Sequence, residues 1–172
     1  MKKLWEEINP KAMFEIRYLY EAPQHFDTVA DWIYRQWWQK PGNTAEVVRT
    51  PLRGHLQPQP LPAAFVALDG EMPVGSVLLI ESDGIDALPD LKPWLAALYV
   101  LPAYRGQGVG KQLVQALEQH AWQEGFTDLY LVATDRVSFY YELGWRVYTK
   151  LVGKNGITIM HKSMAAAPAA SA

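Results

Sequence analysis

Ala97-Leu-Tyr-Val-Leu-Pro-Ala-Tyr-Arg-Gly-Gln-Gly-Val-Gly-Lys-Gln-Leu113 is the stretch that decides the fold. A near-continuous apolar run from Trp94 to Val100 reads as a buried strand and stops at Leu101-Pro102. Gly106, Gly108 and Gly110 then alternate. From Val109 to Trp122, Leu113, Val114, Leu117 and Ala121 recur at helical spacing, and Gly125 closes the helix. Glycines let the backbone turn tightly and approach a ligand. The free N–H groups that open a helix, with the helix dipole behind them, form an anion site. A phosphate ligand suits that site, and Arg105 and Lys111 add positive charge. Two nucleotide readings fail on spacing. A P-loop needs glycine at position 105, which is Arg, and a hydroxyl residue at 112, which is Gln. A dinucleotide fingerprint starting at Gly106 needs a third glycine at 111, which is Lys.

The elements on either side complete one α/β domain. Phe14 to Leu19 alternates as a first strand, and Phe26 to Trp38 repeats at i, i+3, i+4, i+7 as a helix. Thr44 to Arg53 is a weaker second helix, and three prolines between Gln57 and Pro62 make a loop. Ala63 to Leu68 and Pro73 to Ile80 flank Asp69-Gly70, a hairpin signal, and both are apolar enough to be covered on two faces. Downstream come a short strand (Leu129 to Ala133), a short helix (Val137 to Leu143) and two final strands (Trp145 to Val152, Ile157 to His161). The expected domain spans residues 1–164, followed by a flexible Ala/Pro-rich tail over 165–172.

Composition narrows the function classes. The chain has 172 residues, is 49% hydrophobic and carries a net charge of −2. A chain of this size buries roughly 70% of its unfolded surface, so it needs no covalent staples. No basic excess exists to release counterions, so nucleic acid is not an expected partner. The absence of Cys removes disulfides, a thiolate nucleophile and Cys-ligated zinc. His25, His55, His120 and His161 share no ligand spacing, so no metal is expected. No apolar run approaches ~18 residues, so no membrane span is expected. The start Met1-Lys2-Lys3-Leu4-Trp5-Glu6-Glu7 is too acidic for a signal peptide. A cytoplasmic monomer or homodimer is the expectation.

Arg105-x-x-Gly108-x-Gly110, after Leu98-Tyr99-Val100 and Pro102-x-Tyr104, closely resembles the coenzyme A signature of the GCN5-related N-acetyltransferase (GNAT) superfamily. Phe139-Tyr140-Tyr141-Glu142-Leu143-Gly144-Trp145 resembles the second motif of that family, and the order of elements is similar over residues 14 to 162. The resemblance implies a mixed, mostly antiparallel twisted sheet of six to seven strands with about four helices, splayed between strands four and five. It implies acetyl-coenzyme A as co-substrate and an amine as acceptor. The backbone amides of Arg105, Gly106, Gln107, Gly108, Val109, Gly110 and Lys111 would hold the pyrophosphate. Leu98, Tyr99 and Val100 would pair with the pantetheine, the amide of Val100 facing the thioester oxygen. Asp135 departs from the Asn that many members carry at the end of strand five. The rival is a non-catalytic acyl-coenzyme A binding domain on the same fold, which would keep the glycines but not need Tyr140.

Acetyl transfer from a thioester needs a proton for the departing sulfur. Tyr140, in register with the motif, is the expected acid, because a phenol of pKa ~10 can share its proton with a thiolate whose acid has pKa ~8.5. Tyr141 lies about 100° further round the same helix. Glu81, which ends an apolar strand in the acidic stretch with Asp83, Asp86 and Asp90, is the expected base. That acidity favours a cationic small-molecule or peptide amine. Trp32, Trp37, Trp38 and Trp94 are candidates for the acceptor pocket, since indole faces attract ammonium groups.

Overall fold

A computed structural model describes residues 14–151 and 156–164. The expected tail over 165–172 lies outside them. Seven strands form one sheet: β1 (Glu15–Tyr18), β2 (Ala63–Asp69), β3 (Met72–Ile80), β4 (Trp94–Val100), β5 (Asp128–Ala133), β6 (Arg146–Leu151) and β7 (Ile157–Ser163). Their spatial order is β1-β2-β3-β4-β5-β7-β6, and β4–β5 is the parallel pair in an otherwise antiparallel sheet. Among the described residues the α-helices are α1 (Phe26–Ile33), α2 (Glu46–Leu52), α3 (Val109–Gln123) and α4 (Val137–Glu142).

The sheet is covered on both sides, which is why β2 and the middle of β3 are buried at consecutive positions rather than alternate ones. On one face Phe65, Val77, Leu79 and Leu131 meet Val109, Leu113 and Leu117 of α3. On the other, Val66, Leu68 and Leu78 meet Val29, Ala30 and Ile33 of α1 with Val48 and Leu52 of α2. Gly75 on β3 sits tightly against both β4 and α3. A Cβ there would lie 2.8 Å from the Tyr99 carbonyl oxygen and 3.1 Å from Leu113.

Two departures from the sequence reading shape the site. The helix expected over 26–38 changes pitch after Ile33, and Tyr34–Trp38 forms a π-helical turn. Such turns re-aim the side chains that follow, and here they swing Trp37 and Trp38 to the surface, 47% and 43% exposed. The second helix is shorter than expected and runs into a 3₁₀ turn, Arg53–His55.

The parallel contact between β4 and β5 is brief. Trp94 pairs with Tyr130 and Leu95 with Leu131, and no pairing continues beyond Leu95. The strands diverge from there, leaving one edge of β4 open. Register with β3 also slips between Ser76 and Leu78, opposite Ala97, whose φ of +52° is rare for a residue with a Cβ. A bulge and a strained backbone thus sit where the gap opens.

Candidate active site

The gap between β4 and β5 is part of a cavity of about 840 Å³ that runs from the glycine turn to the 81–93 connection. At one end, Gly106 and Gly108 have φ of +77° and +85°, a conformation that residues with a Cβ adopt at a cost. A Cβ at either would meet nothing within 4 Å, so both glycines face open space. Gly108 is the N-cap of α3, and no side chain caps it. The first α-helical bond there runs from the Gln112 N–H to the Gly108 carbonyl (3.0 Å). The N–H groups of Val109, Gly110 and Lys111 therefore have no helical acceptor. With the dipole of a 15-residue helix behind them, they form a cradle that fits a diphosphate.

Arg105, Gly106, Gly108, Val109, Gly110 and Lys111 all line the cavity. Gln107 does not: its amide donates back to the Ala103 carbonyl (3.2 Å). Arg105 folds against β4, its Nε donating to the Val100 carbonyl (3.0 Å) with the guanidinium 5.8 Å from the Tyr99 ring centre. Gly108→Asp sets a carboxylate in the cradle, and coenzyme A affinity measured by calorimetry should fall at least tenfold, about 1.4 kcal/mol. Undiminished affinity in the folded variant rejects the cradle.

Beyond the cradle, Leu98, Tyr99 and Val100 line the open edge of β4. The Leu101 N–H donates to the Val74 carbonyl on β3 (2.9 Å). Successive peptide groups of a strand point to opposite edges, so the N–H of Val100 faces away from β3, as its Arg105-bound carbonyl does. An extended ligand can add to this edge as a strand, with the Val100 N–H as a donor.

Tyr140 stands across the gap on α4 and lines the cavity while remaining only 7% exposed. Burial pushes its pKa up to about 12, against a smaller opposing pull from Arg136, so the phenol keeps its proton throughout the neutral range. Tyr141, one residue on, points outward at 55% exposure under the Arg146 guanidinium, 4.1 Å from the ring centre. The structure separates the two tyrosines as their helical phase requires.

At the far end the structure rearranges the expected residues. Glu81 is exposed, 3.6 Å from the Lys92 ammonium, and does not line the cavity. Asp83, two residues on, does line it, and burial raises its pKa to about 6. Trp37 and Trp38 border the same end. Trp32 packs on Tyr99 instead (5.3 Å between ring centres), and neither it nor Trp94 lines the cavity. Trp94 is a core residue, its Nε1–H donating to the Leu91 carbonyl (2.6 Å) and its ring 5.7 Å from that of Tyr130.

His55 lines this end too, although no sequence signal marked it. Its Nδ1–H donates to the Pro51 carbonyl (3.3 Å), while burial lowers its pKa and keeps the ring neutral. Asp135 and Thr134 reach the cavity from the end of β5, with Thr134 Oγ1 donating to Asp135 (3.2 Å). Among the described residues no three of His, Cys, Asp and Glu gather as a metal site requires, and no helix is long and apolar enough to cross a membrane.

An uncapped helix start, a splayed parallel pair and a buried tyrosine across the gap form one arrangement. The family model that matches it, over residues 15–145, is described as the acetyltransferase (GNAT) family. The chain belongs to that family. This GNAT protein is therefore an acyltransferase, and its seven-stranded splayed sheet is the one the family resemblance implied. Among solved structures it is similar to an aminoglycoside 6'-acetyltransferase type Ii, with 22% identity, a TM-score of 0.70 and coverage of 90% of this chain and 99% of that one. An aminoglycoside 6'-N-acetyltransferase complexed with coenzyme A has 19% identity and a TM-score of 0.69, and the enzyme from Enterococcus faecium has 20% and 0.68; for both, coverage is again 90% and 99%. These likenesses show the fold. No curated protein matches the GNAT chain in sequence.

Proposed function

We propose that the protein transfers the acetyl group of acetyl-coenzyme A to a primary amine by direct attack of the amine on the thioester. The observation that carries this reading is the single cavity joining an anion cradle, an open strand edge, a protonated phenol and a carboxylate. In the reaction the amine nitrogen forms the C–N bond, the C–S bond breaks, and one amine proton is lost while the sulfur gains one. The Val100 N–H is placed to stabilise negative charge on the carbonyl oxygen. Tyr140 donates its O–H to the departing sulfur as a hydrogen bond that strengthens with the charge there, and the proton the amine sheds reaches the thiolate through water.

Asp83, rather than the expected Glu81, takes the acceptor-side role. Its carboxylate attracts a protonated amine and receives the proton the amine sheds, directly or through water. Since its pKa of about 6 lies above the usual carboxylate 3.8, folding favours the neutral acid. Stability is therefore lost as pH rises from about 4 through about 6, and Asp83→Asn should not destabilise the protein at neutral pH. Catalysis should show the opposite trend, with kcat/KM for the amine rising through a step near pH 6. Asp83→Asn should remove that step and raise the acceptor KM, and added salt should raise the wild-type KM in the same direction. Glu81→Gln should leave the step in place. A step that survives in Asp83→Asn removes Asp83 from the reaction.

Thiol release from acetyl-coenzyme A with a panel of primary amines tests the whole reading. Release that depends on the amine is the expected result. Binding of coenzyme A with no amine-dependent release from any member of the panel would overturn it.

A further inference from the structure

Glu118 is the buried carboxylate that the reaction does not use. It lies on α3, ten residues or about 15 Å along the helix from Gly108. One carboxylate oxygen accepts from Trp145 Nε1–H (2.8 Å) and the other from the Lys162 ammonium (2.8 Å). Lys162, on β7, also donates to the Leu143 carbonyl, at the C-terminal end of α4 (2.8 Å). Trp145 in turn holds Tyr140 in two ways. Its backbone N–H donates to the Tyr140 carbonyl (3.0 Å), and its ring meets the phenol ring edge-on, centres 6.1 Å apart.

The network thus links the helix that opens on the anion cradle to the helix that carries the phenol. A largely buried ion pair such as this adds little net stability, because removing the charges from water costs about what their attraction returns. What it does fix is geometry: two hydrogen bonds to one planar carboxylate, and a third from its lysine partner to the Leu143 carbonyl, hold the C-terminal end of α4 in one place relative to Glu118. Displacements near 1 Å at a reacting centre can cost on the order of 10²-fold in rate.

We infer that Glu118 and Lys162 are positioning residues that set the Tyr140 phenol against the cradle on α3. The inference rests on the reading of Tyr140 as the acid. Removing the Lys162 ammonium leaves Glu118 half-paired and the end of α4 without its tie, so the phenol shifts while the cradle, on the first turn of α3, stays intact.

The test is a double-mutant cycle on the full chain, with kcat from thiol release and coenzyme A affinity from calorimetry. Lys162→Met should lower kcat about tenfold with coenzyme A affinity within twofold of wild type. In the Tyr140→Phe background the same substitution should cost less than twofold, because no phenol remains to be misplaced. Lys162→Arg, which keeps a donor to both oxygens, should recover most of the loss. Should Lys162→Met fail to fold, Glu118→Gln, which keeps an acceptor for Trp145 and loses the charge, replaces it in the cycle. Losses that multiply in the double variant, or full turnover in Lys162→Met beside an impaired Tyr140→Phe, overturn the positioning role and leave the acid in place. Full turnover in Tyr140→Phe itself would remove the acid, and the positioning role with it.

Discussion

Tyr140→Phe should lower turnover by about 10²-fold while leaving coenzyme A affinity and melting temperature near those of wild type. The ring stays, and with it the edge-on contact with Trp145, so only the hydroxyl is lost. The size of the effect follows from the acidity of the group. With a pKa near 12, the phenol is a weaker acid than the thiol it faces, whose pKa is ~8.5, so complete transfer to the departing thiolate is uphill. A hydrogen bond that strengthens as charge grows on sulfur is not. Hydrogen bonds to charged groups contribute about 1.5–3 kcal/mol, or roughly 10- to 150-fold in rate. Because the phenol keeps its proton over the neutral range, the loss should be the same across that range. Tyr141→Phe should change turnover little, since that ring faces solvent. Equal turnover of Tyr140→Phe and wild type, with chemistry shown to limit the rate by a single-turnover measurement, would sink the assignment.

What the sequence made legible was local. The glycine turn could be read because three alternating glycines between a buried strand and an amphipathic helix have few other uses. The β2–β3 hairpin could be read from Asp69-Gly70, and the separation of Tyr140 from Tyr141 from helical phase alone. Contacts that span the chain leave no such local mark. Glu118 and Lys162 are 44 positions apart, and nothing in either neighbourhood announces the pair. The choice between Glu81 and Asp83 depends on how an irregular loop folds back over β4, which no periodicity encodes.

The tryptophans show the same limit. Trp94 looked as able to face a ligand as Trp37, yet it opens β4 on the side that meets Tyr130 and is buried there. Trp37 and Trp38 reach the cavity through a π-helical turn that no residue pattern announces, since it keeps helical composition and only the pitch changes. Propensity chose helix correctly in that segment, but the faces of a helix with one extra residue per turn cannot be projected from a regular period.

Trp145→Ala should destabilise the protein more than any other substitution considered above. The side chain is 0% exposed, and truncating a buried tryptophan costs about 3–5 kcal/mol. Domains of this kind are stable by only about 5–15 kcal/mol, so the variant should sit near the edge of folding. At about 2–4 °C per kcal/mol for a chain of this length, the melting temperature should fall by roughly 10 °C or more. Trp145→Phe separates packing from polarity. It keeps most of the apolar surface but leaves Glu118 without its indole donor, and that loss is worth about 1–3 kcal/mol. The expected order of melting temperatures is therefore wild type, Phe, Ala. Saturating coenzyme A should raise all three by similar amounts, because its cradle lies at the other end of α3 from Glu118. If Trp145→Ala melts with wild type, the indole is not a packed part of the core, and the tie between α3 and the helix bearing Tyr140 has no anchor.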